Sequence, residues 1–449
     1  MGAKSAKEIA LFVCNMGYED FPSEVVNLTK SLCLRQLGAT LAGSALPPGK
    51  IIIEYVKKQQ AAPDAGILGA GFRTSAEYAA FANGTLFHAT ELEDVSFPEG
   101  QWTCSVYPAV FALGEKLKSS GKAMIEAIIL GQEVAARIGL VCVKAVARGW
   151  LPASVWSNMG VAAAAAKLLK LTPEETTMAL SLAASQAGGL ARQTGTGAHL
   201  FEAGTAARNG ICAAMLAKGG FTGNPAIFEG RSGLCDLFAG QPDFELTDEF
   251  RTLAIGMKKY PCCYQMHRQI DGMLELIKKH NISFEDVKEI EVGLNSTVGL
   301  GYLKYPQPET GEDARFSVPH GIAACFLDGH VFFDTFTDEK ARDPRFKEAR
   351  KKINVVVHPE YTPGFFTFES PLIVRMKDGT EYKRMCVTAK GDPSDRLNDA
   401  EILKIYMDCI DFAGTVSRED AKKAADMVMA MDQLDDVSEV MKVFTFPKK

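Results

Sequence analysis

The sequence predicts a mostly α-helical protein with an α+β second domain, and three observations predict it. Over the first ~260 residues, apolar residues recur at helical spacing in segments bounded by Gly and Pro. Near Tyr260 the pattern changes to short alternating runs separated by turn residues, the signature of strands. The tail from 418 to 443 returns to helical spacing and can pack back on the first part.

In chain order, residues 5–45 read as two helices, with Pro22 starting the second and Gly43 ending it. Val25, Val26, Leu28, Leu32, Leu37 and Leu41 mark their apolar spacing. Residues 47–61 read as a further helix behind Pro47-Pro48. The segment ILGAGF at 67–72 lacks dinucleotide and P-loop spacing and reads as a connector. An Ala-rich helix then runs into His88, Glu91, Glu93 and Asp94. A Pro/Gly break at 98–100 follows, then Gln101, Trp102 and Thr103, and a helix opens near Pro108. Residues 121–141, 154–170 and 203–219 are helical, and Thr172-Pro173-Glu174-Glu175 is a capping box that opens one more helix. These helices are too apolar for a surface layer. They describe a large all-helical bundle whose central members are buried on several sides. Beyond Tyr260, residues 287–294 and 352–358 alternate as strands, and 371–389 reads as a hairpin turning at Asp378-Gly379. Residues 319–327 and 399–412 read as helices.

Composition narrows the function classes. With 449 residues the chain is long enough for two domains, and with 23% charged residues and a net charge of −6 it offers no broad basic surface. Nucleic acid and membrane are therefore not expected partners, whereas a small acidic substrate can still meet a locally positive pocket. The 11 cysteines form no CxxC, and no Cys/His cluster has zinc spacing, so no metal is expected and the thiols read as reduced. The first residues, MGAKSAKEIALFVCNMG, lack a signal-peptide core, Ala6 breaks the myristoylation pattern, and no apolar run reaches spanning length. A cytoplasmic protein is expected.

Seven histidines can be weighed one by one. His280, His330 and His358 sit at element ends or on a strand and read as structural. His88 precedes the acidic cluster, His199 lies just before a helix in GTGAHLFEAG, His267 follows KKYPCCYQM, and His320 follows RFSVP at the opening of a helix. A helix N-terminus favours bound anions, so His199 and His320, with Arg192 and Arg315 close in sequence, are candidates for holding a carboxylate and exchanging a proton. For each histidine singly, a buried structural role weighs as much.

At these residues the chain resembles the MmgE/PrpD superfamily of 2-methylcitrate dehydratases and cis-aconitate decarboxylases. The resemblance runs through AAFANGTLFHATELED at 79–94, PAVFALGE at 108–115 and GVAAAAAKLLKLTPEE at 160–175. It continues through AGTAARNGICAAMLAKGGFTG at 203–223, KKYPCCYQMHRQIDG at 258–272, RFSVPHGIAACFLDG at 315–329 and GDP at 391–393. It implies a helical domain from residues 1–262 joined by C-terminal helices at 396–449, with a smaller α+β lid domain at 263–395 and the active site in the cleft. It also implies a cofactor-independent enzyme, a homodimer, acting on a small-molecule carboxylate by removing a proton or carboxyl group alpha to a carboxylate.

Carried over by position, His88 and His267 match the family pattern directly. The segment usually written HxxDxDDT reads His88-Ala-Thr-Glu91-Leu-Glu93-Asp94-Val95 here, and a usual His-Pro pair is Gln101-Trp102. Leu151 replaces a histidine, His199 stands where a lysine is expected, and His320 replaces the tyrosine of FSxPY. Exchanging lysine for histidine turns a permanent cation into a titratable group. Exchanging tyrosine for histidine replaces an acid of pKa about 10 by one near 6.5. The pocket is rewritten for a smaller or less charged acid, with Trp102 filling space.

The expected function is a lyase on a carboxylic acid, with His199, His320, His267 and Glu91 as the acid–base set. His88, Asp94, Gln101, Trp102, Arg192 and Arg315 are expected to bind substrate. An epimerase with His199 and His320 or His267 as opposed bases, and a non-catalytic metabolite-binding descendant, are the alternatives.

Overall fold

A computed structural model of the chain describes residues 2–3, 5–238, 240–246, 249–295, 303, 305–361 and 368–446. It divides into two units, Met1–Ile255 with Asn398–Lys449, and Gly256–Leu397. The second unit begins at Gly256, ahead of the KKYPCC segment, and Met257 donates its N–H to the Gly391 carbonyl (2.8 Å) while Cys263 donates to the Arg315 carbonyl (3.0 Å).

The first unit is built from α1 (Ala6–Asn15), α2 (Ser23–Ala45), α3 (Pro47–Lys57), α4 (Ala76–His88), α5 (Thr103–Leu117), α6 (Gly121–Val141), α7 (Pro152–Val155), α8 (Ser157–Leu169), α9 (Pro173–Ala184), α10 (Gly197–Lys218) and α11 (Leu234–Leu237), with Asp399–Ala413, Arg418–Met429 and Ser438–Thr445 from the chain end. Side-chain caps set several starts. Ser75 accepts from the Tyr78 N–H, Ser120 from Ala123, and Thr172 with Glu175 closes the expected capping box. Two short strand pairs, β1 (Gly2–Ala3) with β4 (Phe244–Glu245) and β2 (Ala65–Gly66) with β3 (Arg73–Thr74), make this unit less than purely helical.

Two helix starts differ from the sequence reading. α5 opens at Thr103, so Pro108 lies inside it, in the second turn, where its missing N–H leaves only one helical carbonyl without its usual donor. α10 opens at Gly197, which places His199 in the first turn of the helix. None of the described helices is long and apolar enough to cross a membrane.

Helix spacing in this unit is set by glycines. A Cβ on Gly204 of α10 would lie 2.2 Å from the Phe81 carbonyl oxygen of α4, and one on Gly84 would lie 2.9 Å from Gly204 Cα. A Cβ on Gly43 of α2 would lie 2.0 Å from the Leu86 carbonyl oxygen. α4 is therefore clasped between α2 and α10 with almost backbone-to-backbone approach.

The second unit carries β5 (Val287–Asn295), β6 (Ile353–His358), β7 (Ser370–Met376) and β8 (Glu381–Cys386) in one sheet of order β6-β5-β7-β8. β5 pairs parallel with β6 and antiparallel with β7, and β7 with β8. The parallel pair needs a crossover, which the helical chain from Gly311 to Arg350 supplies. The β7–β8 turn is the expected one: Gly379 takes φ +92, and the Met376 N–H reaches the Thr380 carbonyl at 2.8 Å. Helix α12 (His267–His280) buries Ile270, Met273 and Leu276 in one core with Val287, Ile290, Val292, Leu372 and Val374 of the sheet.

Candidate active site

The close crossing of α4 and α10 has a chemical consequence. Gly84 lies one turn before His88, the last residue of α4, and Gly204 lies shortly after His199 in α10. Antiparallel passage at the glycines brings the two imidazoles together, with ring centroids 4.4 Å apart and planes inclined by 55°. His199 Nε2 is 3.7 Å from Glu91 Oε1, and His88 Nε2 is 3.9 Å from Glu93 Oε1. All four side chains are buried.

The acidic segment that follows α4 is held by its own hydroxyl and by a distant arginine. Thr90 Oγ1 donates to the Phe87 carbonyl (2.6 Å) and accepts the Leu92 N–H (3.2 Å). Between them Glu91 takes φ +53, a left-handed conformation that disfavours a side chain with Cβ. Arg35, from the middle of α2, forms a buried ion pair with Asp94 and donates to the Leu92 carbonyl at 3.4 Å. Burial lowers the Arg35 guanidinium to about 10, which leaves it charged at neutral pH. Downstream, Glu99 accepts from Arg251 Nε (2.9 Å) and Ser96 Oγ (3.2 Å), and its carbonyl accepts the Trp156 indole N–H (2.7 Å). The segment is thus pinned at both ends.

This arrangement gives the sequence-derived residues unequal parts. His88, Glu91 and His199 come together. Asp94 gives one carboxylate oxygen to the ion pair with Arg35. Gln101 is half-buried and its carbonyl accepts the Cys104 thiol (3.1 Å); Trp102 is buried at the start of α5. Arg192 is exposed on the short turn Ala191–Gln193. Arg35 and Glu93 were the residues that sequence reasoning did not single out as site residues; an arginine within the apolar stripe of α2 was the available signal for the first.

The second unit holds its own buried polar cluster. His267 opens α12, with Nε2 3.3 Å from the Cys262 carbonyl and its ring against Tyr260 and Tyr264. Burial, and after it the positive charge of Lys258, hold this imidazole well below its ordinary 6.5, so it is neutral. A carbonyl at Nε2 requires the proton there and leaves Nδ1 as a buried lone pair. Tyr264 donates to Asp392 at 3.3 Å, and Arg268 stacks over the Phe368 ring at 3.7 Å. Arg315 is buried 3.7 Å from Glu312.

His320 has a different setting from the one its sequence context suggests. It lies in the helix Val318–Leu327, with Nε2 2.9 Å from the Thr335 carbonyl, Nδ1 3.1 Å from Arg350 Nη1, and its ring stacked on Phe346. Nε2 therefore donates and Nδ1 accepts, and neither nitrogen keeps a lone pair for a substrate proton. Burial lowers this imidazole to about 4. The expectation of a catalytic His320, and of a His199–His320 base pair, is corrected to a structural role in the core of the second unit.

Residues 7–247 match the MmgE/PrpD N-terminal domain and residues 260–433 match the MmgE/PrpD C-terminal domain. The chain is 25% identical over 440 residues to a cis-aconitate decarboxylase from Mus musculus, covering 94% of this chain and 90% of that protein. It is 26% identical over 476 residues to one from Aspergillus terreus, covering 98% and 96%, and 26% identical over 377 residues to one from Homo sapiens, covering 80% and 78%. With both domains matched in order along nearly the whole sequence, the chain belongs to the MmgE/PrpD family.

Proposed function

We propose that this chain is a cofactor-independent lyase, a dehydratase or decarboxylase, that moves a proton at the carbon alpha to a carboxylate of a small organic acid. The observation that carries the reading is the buried pairing of His199 with Glu91 beside His88. In a dehydration, His199 takes the alpha proton, the C–H electron pair is held by the adjacent carboxylate, and the C–O bond then breaks. The neighbouring imidazole or Glu91 protonates the departing hydroxide, so water leaves and a C=C bond forms. In a decarboxylation the C–C bond breaks instead, carbon dioxide leaves, and an imidazole protonated beforehand donates its proton to the carbanion. Where the neighbouring imidazole is the acid, and in the decarboxylation, the Glu91 carboxylate stabilises the imidazolium. His267, with a neutral ring and a buried lone pair, is a second acid–base candidate in the other unit. The similar cis-aconitate decarboxylases support a carboxylate as the substrate class. The homodimer belongs to the same reading and is checked by sedimentation.

The test is proton NMR in D₂O with a panel of dicarboxylates, hydroxy acids and unsaturated acids. A vinyl signal, or deuterium at an alpha carbon, that disappears in His199→Ala is the expected result. Silence across acids that raise the melting temperature would establish a binding protein instead.

A further inference from the structure

We propose that His88, Glu91 and His199 bind one divalent transition-metal ion of the zinc class, and that metal occupation and proton transfer at His199 exclude each other. The second half rests on the proposed acid–base role; the first does not.

The donor set is the starting point. One ligand atom from each of the three residues lies within 4.8 Å of the others. Two imidazole nitrogens and one carboxylate oxygen suit zinc, cobalt and ferrous iron, and a three-ligand set leaves an open position for water or substrate. Tetrahedral sites with bonds of about 2.0–2.1 Å place donors roughly 3.4 Å apart, and the Glu91–His199 separation is already 3.7 Å. Side-chain rotation by about an ångström closes the third ligand, a smaller adjustment than a backbone move.

The frame around the ligands is stiff. The glycine crossing fixes both histidine-bearing helices, while Thr90 and Arg35 hold the backbone on either side of Glu91. The left-handed conformation of Glu91 places its carboxylate beside His199, and a strained residue inside such a frame marks a function of its side chain. Glu93, 3.9 Å from His88 Nε2, is placed as the outer carboxylate that orients a metal-bound imidazole. Once a nitrogen lone pair is shared with a metal it cannot accept a proton, so the bound ion is an inhibitor.

The test uses the full chain, freed of metal with a chelator and titrated with Co²⁺ under visible spectroscopy, then with Zn²⁺. Expected are ligand-field bands from a single Co²⁺ per chain, displaced by Zn²⁺ and lost in His88→Ala, Glu91→Gln and His199→Ala. Glu93→Gln should weaken binding by about 10–100-fold, and His330→Ala should bind as wild type. Should the variants misfold, imidazole resonances of the wild-type protein give the answer: Zn²⁺ must shift two of them and leave those of His267 and His320 in place. No stoichiometric bands, or bands that survive His199→Ala, overturn the site whatever the activity does. Tight metal binding with undiminished turnover keeps the site and removes His199 as the base.

Discussion

Gly204 and Phe81 meet so closely that a methyl group on the glycine would sit 2.2 Å from the Phe81 carbonyl oxygen and 2.5 Å from Thr85 Oγ1. Thr85 cannot turn away freely, since its hydroxyl donates to that same carbonyl at 2.9 Å. The approach of α4 to α10, and with it the spacing of His88 and His199, depends on the missing side chain.

Gly204→Ala should therefore destabilise the protein by about 1–3 kcal/mol through overpacking, and reduce activity further than that loss alone explains. Gly188→Ala, where an added methyl meets nothing within 4 Å, is the control and should change little. Chemical denaturation of both variants, with activity measured where each is fully folded, checks the pair.

Asp94 and Arg35 form the next relationship to test. Removing one member of a buried ion pair leaves an uncompensated charge and costs about 3–5 kcal/mol, whereas replacing both by apolar residues costs much less. Asp94→Asn and Arg35→Met should each destabilise strongly, and Arg35→Met with Asp94→Leu should recover part of the loss. A double-mutant cycle showing independent, additive effects would return Asp94 to the role of a substrate ligand.

His320 gives a pH prediction with a definite sign. Its imidazole titrates at about 4 in the folded chain, against an ordinary 6.5. The unfolded chain takes up a proton as the pH falls below 6.5, and the folded chain does not until about 4. The stability from this neutral histidine is complete above 6.5 and is lost as the pH falls toward 4, to a total of roughly 3 kcal/mol. His320→Gln should be less stable at pH 7, with the gap to wild type closing toward pH 4 in denaturation curves. Its turnover, at a pH where it is folded, should stay near wild type.

Local signals carried much of the fold. The Thr172–Glu175 box, the Asp378-Gly379 turn and the alternation of β5 each rest on residues a few positions apart, so the chain displays them directly. Pro108 misled because proline opens helices more often than it sits within them, and α5 tolerates it by giving up one hydrogen bond. The site was legible as a set of residue types and not as a geometry. Nothing adjacent to Arg35 shows that it meets Asp94, and nothing in RFSVPH shows that Thr335 and Arg350 fill both nitrogens of the histidine. The partnership of His88 with His199 arises from two glycines on different helices, a long-range relationship that periodicity does not encode.

Glu91 separates function from stability most sharply. A residue with Cβ held at φ +53 costs about 1 kcal/mol or more relative to glycine, which adopts that conformation freely. The carboxylate is also buried, and burial carries a desolvation cost. Glu91→Gly should thus hold or raise the melting temperature while abolishing turnover and Co²⁺ binding together. If the glycine variant instead melts well below the wild type, the carboxylate is a structural element and the strain at 91 has no functional meaning. If it is stable and active, His199 works without Glu91, and the acid–base pair must be sought elsewhere.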